Sequence, residues 1–96
     1  MSTALFTDHY ELTMVEAAMA SGTADRRCVF ELFPRRLPEG RRYGVVAGTG
    51  RVLDAIENFR FTDEEVSFLE RTGVVGPQMA EWLSHYRFTG SIHGYA

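Results

Sequence analysis

With 96 residues, 45% hydrophobic and 24% charged, the chain has the make-up of one globular domain. It is too apolar for a disordered segment, and no apolar run nears the roughly 18 residues that cross a bilayer. A net charge of −3 with no extended basic stripe argues against nucleic acid as a partner. The opening Met1-Ser2-Thr3-Ala4-Leu5-Phe6 has neither the basic start nor the apolar stretch of a signal peptide, so the cytoplasm is the expected compartment and no membrane is expected as a partner.

In chain order, a first helix is predicted from about His9 to Ser21. Asp8 can cap it, Glu11 three residues on completes a capping-box pattern, and Gly22 supplies a left-handed stop. Leu12, Val15 and Met19 recur at helical spacing, with Tyr10, Met14 and Ala17 on a neighbouring stripe, so one stripe can pack while the other faces a partner. Arg27 to Phe33 reads as a strand, rich in residues that suit a pleated, buried surface, and Pro34 ends it or puts it on an edge. Cys28, the single cysteine, cannot close an internal disulfide and is expected to face the core from this strand. Pro38 and Gly40 mark Arg35 to Arg42 as a loop, and Tyr43 to Ala47 reads as a second short strand.

A second helix is predicted from about Gly50 to Asn58, with Val52, Leu53, Ile56 and Phe59 as its core face. Thr62 should cap a third, with Asp63, Glu64 and Glu65 in its first turn, Glu65 completing a capping box and Gly73 ending it. Pro77 suits the first position of a fourth, whose Met79, Trp82, Leu83 and Tyr86 form a core stripe that leaves Trp82 no ligand role. Ser91 to Tyr95 reads as a last strand that needs partners this chain only partly supplies. The order helix, strand, strand, three helices, strand makes the expected fold class α+β.

All ten basic residues are arginine, and Arg26, Arg27, Arg35, Arg36, Arg41 and Arg42 share a seventeen-residue window with only Glu31 and Glu39 as acids. Arginine pairs bidentately with phosphate and carboxylate, so this window is either an anion site or a solvated loop. Gly44-Val-Val-Ala-Gly-Thr-Gly50 invites comparison with a phosphate loop, but Leu53 stands where a third glycine would be and no Gly-Lys-Ser/Thr follows; a close strand-to-helix turn fits better. His9, His85 and His93 have no metal-ligand spacing.

Thr7-Asp8-His9-Tyr10-Glu11-Leu12-Thr13-Met14 resembles the Thr-Asp-x-Tyr-x-x-Thr-Met opening helix of nicotinate phosphoribosyltransferases. The resemblance continues through Phe30 to Phe33, Arg35 to Pro38, Gly44 to Gly48, Asn58 to Phe61 and Arg87 to Gly90. It implies that residues 1–96 are the N-terminal α+β portion of a two-domain type II phosphoribosyltransferase whose catalytic barrel domain lies outside this chain. The activity so implied joins nicotinate to phosphoribosyl pyrophosphate, with ATP hydrolysis coupled and magnesium present, in NAD salvage by a homodimer. The histidine that such enzymes phosphorylate lies beyond Ala96, so no catalytic residue, and no cofactor bound by this chain alone, is expected.

The resemblance assigns Tyr10 to the nicotinate pocket, reached across a dimer interface; a lone tyrosine would otherwise read as the amphipathic edge of a core. Asp8 is first a helix cap, and by the resemblance also lies beside the substrate pocket. Arg35 matches the first arginine of a Phe-x-Arg-Arg/Lys-x-Pro stretch, where a phosphate of phosphoribosyl pyrophosphate is the natural anion and an inter-subunit salt bridge the competing role. Two other readings stand beside this one: a non-catalytic interaction module derived from such an enzyme, and a sister enzyme acting on nicotinamide or quinolinate.

Overall fold

In a computed structural model of the chain, residues 2–95 are described, and all regular structure among them is helical. A 3₁₀ turn, Ala4–Phe6, precedes α1, His9–Ser21; α2, α3 and α4 follow at Thr49–Glu57, Asp63–Arg71 and Pro77–His85. The expected α+β class is therefore corrected to all-α. The four predicted helices are all present, with bounds within a residue or two of those read from spacing.

The three predicted strands are absent among the described residues. Residues 27–33, 43–47 and 91–95 carry no strand assignment, and from 27 to 37 no backbone N–H donates to another backbone carbonyl. The composition reports β-propensity correctly, but a strand is stabilised by ladder bonds and cross-strand side chains. These segments find neither. Phe30 is 88% exposed and Leu32 fully so, with Val29, Phe33, Tyr43, Val45 and Val46 also in solvent. Cys28 is exposed with them rather than facing a core.

Ala4, Leu12, Phe61, Leu69, Val75, Met79, Ala80 and Leu83 form the core, with Val15, Met19, Phe59, Val66 and Val74 packed against it. It thus joins the N-terminal turn and α1 to α3 and α4. Pro77 stands at the first turn of α4, as predicted. Of the α4 stripe, Met79 and Leu83 are the largest fully buried side chains, while Trp82 stays partly exposed and meets Tyr86 in a tilted contact at 5.1 Å between ring centroids. Phe59 meets both Phe61 and Tyr86 edge to face, at 5.5 and 5.9 Å.

The expected core face of α2 is another correction. No α2 residue is buried, and Val52 and Leu53 are exposed. Of the predicted face, Ile56 is half-buried and Phe59, just past the helix end, packs against the core, while Val52 and Leu53 are left uncovered among the described residues. The glycine-rich approach does act as a turn into a helix: Gly48, the residue before α2, has φ +83°, a left-handed conformation that suits glycine.

Two long-range bonds tie the N-terminal stretch and α1 to later parts of the chain. Glu16 Oε2 in α1 accepts from the backbone N–H of Gly76, at 2.7 Å, placing a carboxylate at the N-terminus of α4 where the helix dipole favours it. Ser2 Oγ donates to the carbonyl of Arg60 at 3.0 Å.

Candidate functional site

The first turn of α1 holds the clearest candidate. Leu12 turns inward and is buried, and Val15 and Met19 follow it onto the core. This commits the opposite stripe to solvent: Tyr10 is 60% and Met14 63% exposed. Asp8, His9, Tyr10, Thr13 and Met14 line a shallow, open depression there, which gathers an aromatic ring, a thioether and a carboxylate. Such a surface can take one face of a flat ring and leave the other for a second surface.

The local hydrogen bonds differ from the expected capping box. Asp8 occupies the N-cap position in extended conformation, yet its side chain makes no capping bond. Glu11, the expected reciprocal partner, instead accepts through Oε2 from the Thr7 hydroxyl, and its backbone N–H donates to the Asp8 carbonyl at 3.2 Å. The default role given to Asp8 is thereby corrected. Its exposed carboxylate stands at the depression without a capping task. At the far end, Gly22 closes α1 with φ +77° as predicted.

Asp8 and Tyr10 are thus brought together, and Arg35 does not line the depression with them. It lies exposed at a bend in the irregular stretch after residue 33. Met14, which helical spacing put on the same stripe as Tyr10, and Thr13, singled out only by its place in the motif, also line the depression. A second, smaller hollow of about 300 Å³ is lined by Ser2, Thr3, Ala55, Asn58, Phe59, Arg60 and Thr62. Its two halves lie far apart in sequence, so no local pattern could have signalled it.

The chain belongs to the family of the nicotinate phosphoribosyltransferase (NAPRTase) N-terminal domain, whose profile matches residues 5–96. Among curated relatives, nicotinate phosphoribosyltransferase pncB1 of Mycobacterium tuberculosis (strain H37Rv) is 51% identical over 92 residues, covering 96% of this chain and 20% of that protein. The nicotinate phosphoribosyltransferase of Bacillus subtilis (strain 168) is 41% identical over 69 residues, covering 72% of this chain and 14% of that protein. Nicotinate phosphoribosyltransferase 2 of Arabidopsis thaliana is 39% identical over 70 residues, covering 73% and 13% respectively. The chain thus spans about a fifth or less of the length of these relatives. No solved structure matches it significantly. No helix among the described residues is long and apolar enough to cross a membrane.

Proposed function

We propose that this chain supplies the N-terminal part of an enzyme that joins nicotinate to phosphoribosyl pyrophosphate, forming nicotinate mononucleotide and pyrophosphate with ATP hydrolysis coupled. The observation that carries the reading is the exposure of Tyr10 beside Met14 on a helix whose Leu12 is buried. A large aromatic held in solvent by a fixed helix is available for a ligand. In the homodimer this reading implies, Tyr10 stacks on the pyridine ring in the partner's pocket and Asp8 lies at its edge, while Arg35 meets phosphate or the partner subunit. ATP and magnesium belong to the whole enzyme. Among the described residues no three His, Cys, Asp or Glu side chains are grouped to hold a metal ion. In this reading the chain's own part is contact and positioning, and by itself it should give no nicotinate mononucleotide from nicotinate, phosphoribosyl pyrophosphate, ATP and magnesium.

The test is made in a full-length enzyme carrying this N-terminus. Tyr10→Ala should lower kcat/KM for nicotinate by about tenfold to a hundredfold, with Tyr10→Phe mild, because the ring and not the hydroxyl makes the stack. The melting temperature should barely move, since Tyr10 fills no core. A destabilised Tyr10→Ala enzyme with normal kinetics would overturn the assignment.

A further inference from the structure

Tyr10 can serve a ligand only if α1 points it in one direction. Successive helical residues are about 100° apart, so Tyr10 lies about 160° around the axis from Leu12 and Glu16 only about 40° from it. Glu16 therefore flanks the buried face, and Tyr10 stands on the far side. Of α1 only Leu12 is buried, with Val15 and Met19 half-buried on the core. Apolar contact is non-directional and fixes rotation about the helix axis weakly. Among the described residues, the bond from Gly76 N–H to Glu16 Oε2 is the one hydrogen bond between α1 and any residue beyond Thr23. Its donor end is anchored. The N–H groups of Val74 and Val75 donate to the Leu69 carbonyl at 3.0 and 3.3 Å, and Leu69, Val75, Met79 and Leu83 share the core, so Gly76 sits on a fixed α3–α4 unit.

We propose that Glu16 is a positioning residue for Tyr10: its bond to Gly76 fixes the rotation of α1 about its axis, and with it the direction of the Tyr10 ring. A group carried roughly 5–6 Å from a helix axis moves about 1 Å for every 10° of roll. Misplacement by about 1 Å from a change remote from the chemistry can cost on the order of a hundredfold in rate. Glu16 touches neither substrate nor the depression around Tyr10, so its whole effect on a ligand passes through the helix. The kinetic consequence rests on the nicotinate reading, whereas the orienting role does not. Glu16→Gln keeps an acceptor oxygen at the same reach and should keep the orientation; Glu16→Ala frees the roll.

Two measurements test this. In the 96-residue chain, Cys28 is exposed and can be replaced by serine, after which Met14→Cys and Glu81→Cys take nitroxide labels on the Tyr10 stripe and on α4. Glu16→Ala should shift or broaden the label-to-label distance distribution in electron spin resonance, with α1 intact by circular dichroism because Leu12, Val15 and Met19 are untouched. Glu16→Gln should match the parent. An unchanged distribution in Glu16→Ala would overturn the proposal. In a full-length enzyme carrying this N-terminus, assayed well below its melting temperature, Glu16→Ala should lower kcat/KM for nicotinate roughly three- to tenfold, with Glu16→Gln near the parent. KM for phosphoribosyl pyrophosphate should stay unchanged. In a Tyr10→Ala background the same substitution should have no further effect, because its route to substrate is the ring. An equal loss with and without Tyr10, or a lowered melting temperature with normal nicotinate kinetics, would show a merely structural role and sink the proposal. A kinetically normal Tyr10→Ala enzyme would remove the nicotinate reading instead, and the label distances would then decide the orienting role by themselves.

Discussion

Glu16 is a single carboxylate that ties α1 to the start of α4, and its partner, Gly76, is sixty residues away. Removing it leaves a partly buried N–H without its acceptor, so Glu16→Ala should destabilise the chain by about 1–2 kcal/mol, read by urea unfolding. Glu16→Gln, which keeps an acceptor oxygen, should cost less. Nothing local in the sequence announces this bond, because a helix-terminus acceptor from another element depends on packing. The two stripes of α1 were legible for the opposite reason: helical spacing alone separates Leu12, Val15 and Met19 from Tyr10 and Met14. The capping role of Asp8 was misread because its residue type and position fit, while Thr7 claims Glu11, the reciprocal partner.

At the scale of elements, α3 is the best predicted. Thr62 Oγ1 accepts from the Glu65 N–H at 3.2 Å, and Glu65 Oε1 accepts from the Thr62 N–H at 2.8 Å, as the capping-box pattern required. Thr62→Ala should cost about 1 kcal/mol. Burial pushes the Glu65 carboxyl up, but the hydrogen bonds from the Thr62 backbone and with the Thr62 and Ser2 side chains outweigh it and hold the group below its ordinary value. A carboxyl lowered by folding contributes stability that is present above its unfolded value of 4.5 and lost as pH falls through the folded one. The difference in melting temperature between parent and Glu65→Gln should accordingly be largest near neutral pH and shrink below pH about 4. A difference independent of pH would count against this account. The strands and the core face of α2 were not legible as they stand, since β-propensity at Val29 to Phe33 and amphipathicity at Val52 to Phe59 report what a segment can pack against, not whether the partner is in the same chain.

For the whole molecule, the radius of gyration is 16.1 Å, where a compact chain of this length would have about 13 Å. The excess agrees with a core confined to the N-terminal turn, α1, α3 and α4. Residues 24–47 and α2 lie between α1 and α3 in sequence and contribute nothing buried. Two stretches that meet in the core are thus joined by a long exposed connector in which seven of the ten arginines, and no lysine, are found. Brief trypsin treatment should cut there first. The cut should leave α1 bound to the α3–α4 pair through Leu12, Val15, Met19 and the Glu16 bond. The two pieces should then run as one species in native gel filtration, separating only on a denaturing gel, with Glu16→Ala loosening the nicked pair more than the intact chain. Continuity of the backbone between the first helix and the rest would then be a matter of synthesis and local concentration, and the chain should tolerate inserted residues, or division into two co-expressed halves, at the loop around Pro38 to Arg41.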